Sequence, residues 1–179
     1  MALSATLRRF AITVADSDRD VYESLDLRVA QHPSESARYM VARLLARALE
    51  HSEGVEFSRG LAASDEPAIL QHNLQGGVVA WIEIGSPSVE RLHRASKTGA
   101  RIVVYAWRGG EELRSAAASI HRAEELEIKT LEPGFLDAIA ATVDRKNSWS
   151  LTISGGSIYL ESGGVFLEGA VRRIPPHQP

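Results

Sequence analysis

The sequence predicts an α/β fold of the mixed α+β kind: a mixed sheet with flanking helices, an N-terminal β-hairpin and C-terminal antiparallel strands. Three observations predict it. Two alternating runs open the chain around an acid-rich turn. A strand–helix–strand unit with apolar strands occupies Val78–Trp107, and alternating runs separated by glycine pairs close the chain. The 179 residues fit one domain, 1–171, followed by a tail at 172–179 that carries Pro175-Pro176 and is expected to be disordered.

Thr6–Val14 and Val21–Ala30 read as the hairpin strands. In the second, Val21, Glu23, Leu25, Leu27 and Val29 share one face, the spacing of a half-buried antiparallel strand. Asp16-Ser17-Asp18-Arg19-Asp20 between them is a solvated turn, since it lacks the glycine and closing glutamate of a calcium loop. His32-Pro33-Ser34 then leads into a helix with Ser34 as the expected N-cap and Glu35 in its first turn. Ala37, Met40, Val41, Leu44, Leu45, Ala48 and Leu49 mark its core face, with Arg38, Arg43 and Arg47 off that face. Val55–Ser58 is a short strand, and Arg59–Asn73 reads as irregular.

Val78–Ile84 is apolar on both faces apart from Glu83, which marks a strand buried on both sides. A buried carboxylate is costly unless neutralised, paired or bound to a cation. Ser86-Pro87 supplies an N-cap and a first-turn proline for the next helix, Gly99 ends it, and Ile102–Trp107 returns as a parallel strand. Glu111–His121 is expected to be helical, Leu126–Leu131 a strand, and Pro133 the start of a last helix. Ser148–Ser154, Ser157–Glu161 and Val165–Ala170 are strands joined at Gly155-Gly156 and Gly163-Gly164.

Composition narrows function. A 44% hydrophobic content gives no argument for disorder, and a net charge of −3 disfavours a general nucleic-acid coat while leaving room for a local basic groove. The absence of cysteine excludes disulfides, thiolate metal sites and cysteine nucleophiles. Met1-Ala2-Leu3-Ser4 lacks the order of a signal peptide, and no apolar stretch nears the roughly 18 residues that span a bilayer. A cytoplasmic protein with no membrane contact is expected. The chain holds no P-loop, dinucleotide-binding glycine fingerprint, nucleophile elbow or His-Glu-x-x-His.

What remains is a set of acids: Glu35, Asp65, Glu66 and Glu83. Carboxylates that converge at a strand end repel one another unless a cation lies between them, and oxygen-only ligands favour Mg²⁺ or Mn²⁺. The alternative is an arginine partner for Glu83 and ordinary loop or helix-start roles for the rest. Arg91, Arg94 and Lys97 recur every three residues on the helix after Glu83, a stripe that can contact phosphate, neutralise Glu83 or simply face solvent. Trp81, Trp107 and Trp149 sit in strand runs and read as core.

The chain resembles the YaeQ family of bacterial proteins. The resemblance lies in Met1-Ala2-Leu3, His32-Pro33-Ser34-Glu35 with Arg43-Leu44-Leu45-Ala46, Phe57-Ser58-Arg59-Gly60-Leu61, Asp65-Glu66-Pro67, Trp81-Ile82-Glu83-Ile84-Gly85-Ser86-Pro87, Arg91 and Arg94-Ala95. It implies a restriction-endonuclease-like α/β roll. Nucleases of that superfamily carry a helix acid, a strand-start Asp and then Glu-x-Lys. By resemblance Glu35 is the helix acid, Asp65 or Glu66 the strand-start acid, and Glu83 the acid of Glu-x-Lys, but Gly85 stands where the lysine belongs. That removes the cation expected to position water, and Arg94, then Arg91 or Lys97, is the expected replacement.

The leading expectation is therefore a Mg²⁺- or Mn²⁺-dependent phosphodiesterase acting on nucleic acid. Glu35, Asp65, Glu83 and Arg94 would be catalytic, Asp65, Glu66 and Glu83 would hold metal, and Arg91 and Lys97 would bind substrate. The alternative is a non-catalytic binding or regulatory module that keeps the nuclease-like fold, favoured by the missing lysine and the acidic net charge.

Overall fold

Alternation between buried and exposed positions builds the first strands. In β1 (Thr6–Asp16), Phe10, Ile12, Val14 and Asp16 are buried and the residues between them are more exposed; β2 (Val21–Gln31) buries Leu25 and Val29 on the same side. They pair antiparallel as expected. The computed structural model describes residues 4–59 and 65–176. The Met1-Ala2-Leu3 start, Gly60 and Leu61 of the family-like stretches, and the end of the expected tail at 177–179 lie outside the described residues.

The chain divides into two units, Met1–Leu44 with Glu132–Val171, and Leu45–Leu131 with Arg172–Pro179. In the first, β1 also pairs in parallel with β8 (Lys146–Ser154), which continues antiparallel into β9 (Ser157–Ser162) and then β10 (Val165–Ile174). The result is a mixed sheet. β10 runs on to Ile174, into the stretch expected as tail. The inner face carries Phe10, Ile12, Val14, Trp149, Leu151, Ile153, Ile158 and Leu160, with Trp149 edge-on to Phe10 at 5.0 Å. The helix α4 (Pro133–Ala140) buries Phe135, Leu136 and Ile139, and Phe135 lies so close over Gly169 that a Cβ there would fall 2.4 Å from the ring.

The expected solvated turn between β1 and β2 is better tied down than its composition suggests. Asp16 is buried, accepts from the amides of Asp18 and Arg19, and pairs with the Arg19 guanidinium at 2.7 Å. Asp18 accepts from the Gly155 and Gly156 amides at 2.6 and 2.9 Å, so the first turn of the sheet is bonded to the β8–β9 turn.

The helix α1 (Ala37–Leu49) begins in the first unit and ends in the second. Its cap is Ser36, whose hydroxyl accepts from the Tyr39 amide at 3.1 Å, rather than the expected Ser34, which bonds His32 Nδ1 instead. Every residue from Met40 to Leu49 is buried, so from Met40 onward the helix has no solvated face. Arg43 and Arg47, expected off the core face, are tolerated there because each has a local partner.

In the second unit, β3 (Val55–Phe57), β4 (Ile69–His72) and β5 (Val78–Ile84) form an antiparallel meander; β4 falls within the stretch expected to be irregular. β5 then pairs in parallel with β6 (Arg101–Ala106), and β6 in parallel with β7 (Glu127–Leu131), giving a second mixed set of strands. The crossovers are α2 (Val89–Ser96) and α3 (Gly110–Ala116); the expected single helix over 111–121 breaks after Ala116 into short 3-10 turns. Leu92, Ala95, Ile102, Val104, Ile120, Leu126 and Ile128 pack together between these crossovers and the strands.

Gly169→Ala should lower the unfolding free energy by about 1–3 kcal/mol, the usual cost of overpacking a filled core. Urea titration should also show that Gly169→Ala adds less to the loss in a Phe135→Ala background, where the ring it strikes is gone.

Candidate functional site

The acid at the end of β5 is the centre of the best-defined constellation. Strand alternation puts Trp81 and Glu83 on the β5 face that looks toward α2, and Ala80, Ile82 and Ile84 on the other. The helix is held by Ser88, whose hydroxyl accepts from the Arg91 amide at 3.2 Å, so Ser88 and not the expected Ser86 is the cap. Arg91 on its first turn reaches back to the strand. Its Nε lies 2.6 Å from Glu83 Oε1, and the same oxygen accepts from Trp81 Nε1 at 2.7 Å. The Arg91 Nη2 donates to the Glu66 carbonyl, which ties the stretch before β4 to the same guanidinium. Glu83 is only 5% exposed, so this pairing meets the requirement that its burial imposes.

Gly85 explains the missing lysine. Its φ is +88°, and a Cβ on it would lie 3.3 Å from the Trp107 ring, while its amide donates to the Tyr105 carbonyl at 2.8 Å. The chain must turn sharply here between β5 and α2, and a side chain at this position is strained by φ alone.

The other expected site residues have surroundings of their own. Glu35 precedes α1 instead of lying on it, and is buried. Both of its oxygens face Arg43 Nη2, at 2.8 and 3.1 Å. Burial pushes the Glu35 carboxyl up, against the pull of Arg43 and the His32 amide. Asp65 is exposed. Glu66 pairs with Arg59 at 2.7 Å and is held below the usual carboxylate range by that side chain. Arg94 and Lys97 are exposed, so the basic stripe splits: Arg91, not Arg94, reaches Glu83. Among the described residues no three His, Asp or Glu side chains are grouped to hold a metal ion. With Glu83 and Glu66 each taken up by a guanidinium, the donor set does not fit the Mg²⁺ or Mn²⁺ implied by resemblance.

A second polar cluster gathers around Glu50. Glu50 follows α1 and is buried; its Oε1 accepts from the Tyr105 hydroxyl and from Lys129 Nζ, both at 2.6 Å, and its Oε2 from Arg101 at 2.7 Å. Arg101 also clasps Glu127 through Nε at 2.6 Å. Glu127-Ile128-Lys129 is a Glu-x-Lys triplet on β7, with Glu127 and Lys129 on one face. That triplet was the signal available in the sequence. Here two acids and two bases cancel, and every carboxylate oxygen of the pair has a donor. Burial alone would raise Glu50, but the Lys129 charge and the Arg101 hydrogen bond outweigh it and leave its pKa lowered.

A family model described as YaeQ protein matches residues 1–170. The chain belongs to the YaeQ family. It is 33% identical over 177 residues to the uncharacterized protein YaeQ of Salmonella typhi and 32% identical to that of Escherichia coli (strain K12), with 94% of each chain covered in both cases. Its fold matches the crystal structure of the YaeQ protein from Xanthomonas axonopodis pv. citri at a TM-score of 0.88, with 28% identity over 97% of this chain and 100% of that one. The YaeQ protein from Pseudomonas syringae matches at 0.84, with 30% identity and 97% of each chain covered. These YaeQ structures share the mixed α+β architecture described above. No helix among the described residues is long and apolar enough to cross a membrane.

Arg91→Ala leaves Glu83 buried without its counterion and should cost about 3 kcal/mol in urea unfolding, while Arg94→Ala should change little. For Glu50, a folded pKa below the unfolded one means stability that is present above the ordinary value of 4.5 and lost as pH falls through the folded value. Unfolding free energy should therefore drop on acidification below about pH 4.5, and Glu50→Gln, measured over the same range, should flatten part of that drop.

Proposed function

We propose that this YaeQ-family chain is a non-catalytic binding or regulatory module that uses a nuclease-like framework as a scaffold. The observation that carries the reading is the Glu83 pairing: the acid best placed for metal chemistry is buried with Trp81 and Arg91 on one of its oxygens. A metal ligand needs its lone pairs free for the ion, and a guanidinium at 2.6 Å competes for the same oxygen. Gly85 in place of lysine adds to this, because its φ of +88° strains any residue that carries a side chain.

One observation favours a second reading, a Mg²⁺- or Mn²⁺-dependent phosphodiesterase. The Arg91 guanidinium lies between the Glu83 carboxylate and the Glu66 carbonyl, where it acts as the local cation. In that reading Arg91 swings out and a divalent ion takes its place.

The two readings separate in one experiment. An ion that binds only the folded state raises the melting temperature. The wild-type chain and Arg91→Ala should show no rise in melting temperature with millimolar Mg²⁺ or Mn²⁺, and neither should cleave single- or double-stranded DNA or RNA. A metal-dependent rise in Arg91→Ala, or cleavage abolished by Glu83→Gln, would replace the module reading with the hydrolase.

A further inference from the structure

On the face of the first unit's sheet opposite its core, most residues of β8, β9 and β10 are exposed or half-buried among the described residues, and the chemistry of that face is uneven. Gly163-Gly164 turns β9 into β10 so that Glu161 lies opposite Phe166 and Tyr159 opposite Glu168. Residues two apart on a strand share a face, so these four side chains form a square, aromatic on one diagonal and acidic on the other. Ser150 and Thr152 of β8 flank it, opposite Glu161 and Tyr159. Together they line a concavity of about 360 Å³, within the size range of ligand clefts.

Three features set this patch apart from an ordinary solvated face. Phe166 is 82% exposed and Tyr159 is 46% exposed, two rings held out toward water by strands whose opposite face is fully packed. Glu161 Oε1 accepts from the Gly164 amide at 2.6 Å, which fixes the direction of that carboxylate. Among the described residues, Glu168 has no hydrogen-bond or ion-pair partner, unlike the buried acids Glu35, Glu50 and Glu83. The next positions on the same face are Ser157 and Ala170, which bring no positive charge.

Rings and carboxylates in alternation complement one kind of group: a delocalised cation with a flat face. A guanidinium stacks on an aromatic ring through cation–π attraction and donates in its plane to a carboxylate. Nucleic acid is disfavoured, because two carboxylates would face phosphate. We propose that the groove over Tyr159, Glu161, Phe166 and Glu168 docks an arginine side chain of an arginine-rich protein segment, the guanidinium lying on a ring and between the two acids. This rests on the module reading above and names the partner chemistry that such a module would take.

The test titrates a hexa-arginine peptide into the isotope-labelled full chain at low salt and follows amide shifts by NMR. Expected are shifts centred on β8–β10, and affinity at least about fivefold weaker in both Phe166→Ala and Glu168→Gln, the scale of one lost cation–π or charge contact. Both positions are exposed, so melting temperatures should stay at the wild-type value and separate lost binding from lost folding. A hexa-glutamate peptide should leave the spectrum unchanged. The proposal is overturned if hexa-arginine shifts no residue of β8–β10, if both variants bind as wild type, or if a single-stranded oligonucleotide binds this face more tightly than the peptide. It is also overturned if the chain self-associates through this face and Phe166→Ala makes it monomeric. Metal-dependent cleavage with groove binding intact would sink the module reading and leave the groove; silence of both would sink the groove alone.

Discussion

A carboxylate at the end of a buried strand has to be neutralised where it stands, and Arg91 does this for Glu83. Much of the second unit's geometry follows from that pairing. It sets how α2 leaves the strand, because Arg91 sits on the first turn and its backbone is already held by the Ser88 cap. It draws in the stretch before β4 through the Glu66 carbonyl. It also leans on Gly85, since only a tight left-handed turn brings the helix start back over its own strand. The same solution recurs at Glu35 with Arg43 and at Glu50 with Arg101 and Lys129. Each of these buried acids thus has a basic partner of its own, and Glu50 shares Arg101 with Glu127.

Much of the fold was legible in the sequence because burial has a simple period. Val78–Ile84, the parallel return at 101–106, the opening hairpin and the closing strands all follow from apolar spacing and turn residues. What was misjudged has physical causes. β4 is four residues long and carries Gln71 and His72, so its pattern is too short and too polar to stand out. The cap positions slipped by two residues because Ser34 and Ser36, and Ser86 and Ser88, offer equal chemistry, and only packing chooses between them. α1 reads as amphipathic because it holds three arginines, yet it is buried all round from Met40 onward, with Arg43 paired to Glu35, which precedes the helix, and Arg47 bonded to His51.

The candidate site was legible only in part. That Glu83 would need a counter-charge follows from its surroundings, and Arg91 was among the basic residues in reach. Which of Arg91, Arg94 and Lys97 turns inward depends on where the helix starts, a detail fixed by Ser88. The Glu50 cluster draws on the end of one helix and on β6 and β7, with Glu50 and Lys129 separated by 79 positions. No local pattern announces such a meeting. The exposed square on β9 and β10 is the reverse case. Alternation shows that Tyr159 and Phe166 point away from the core, but strand register is needed to place each ring beside an acid.

The parallel pairing of β1 with β8 carries a consequence for how the protein is made. Arg9 sits beside Lys146 and Asp16 beside Ile153, so β1 has no parallel neighbour until β8, far along the chain, has been synthesised. Until then the nascent hairpin offers an open edge, the kind of surface that invites wrong partners. Contacts spanning so much of the chain also slow the search for the native topology. The clasp of Asp18 on the Gly155 and Gly156 amides then acts as a late latch, tying the first hairpin to the β8–β9 turn.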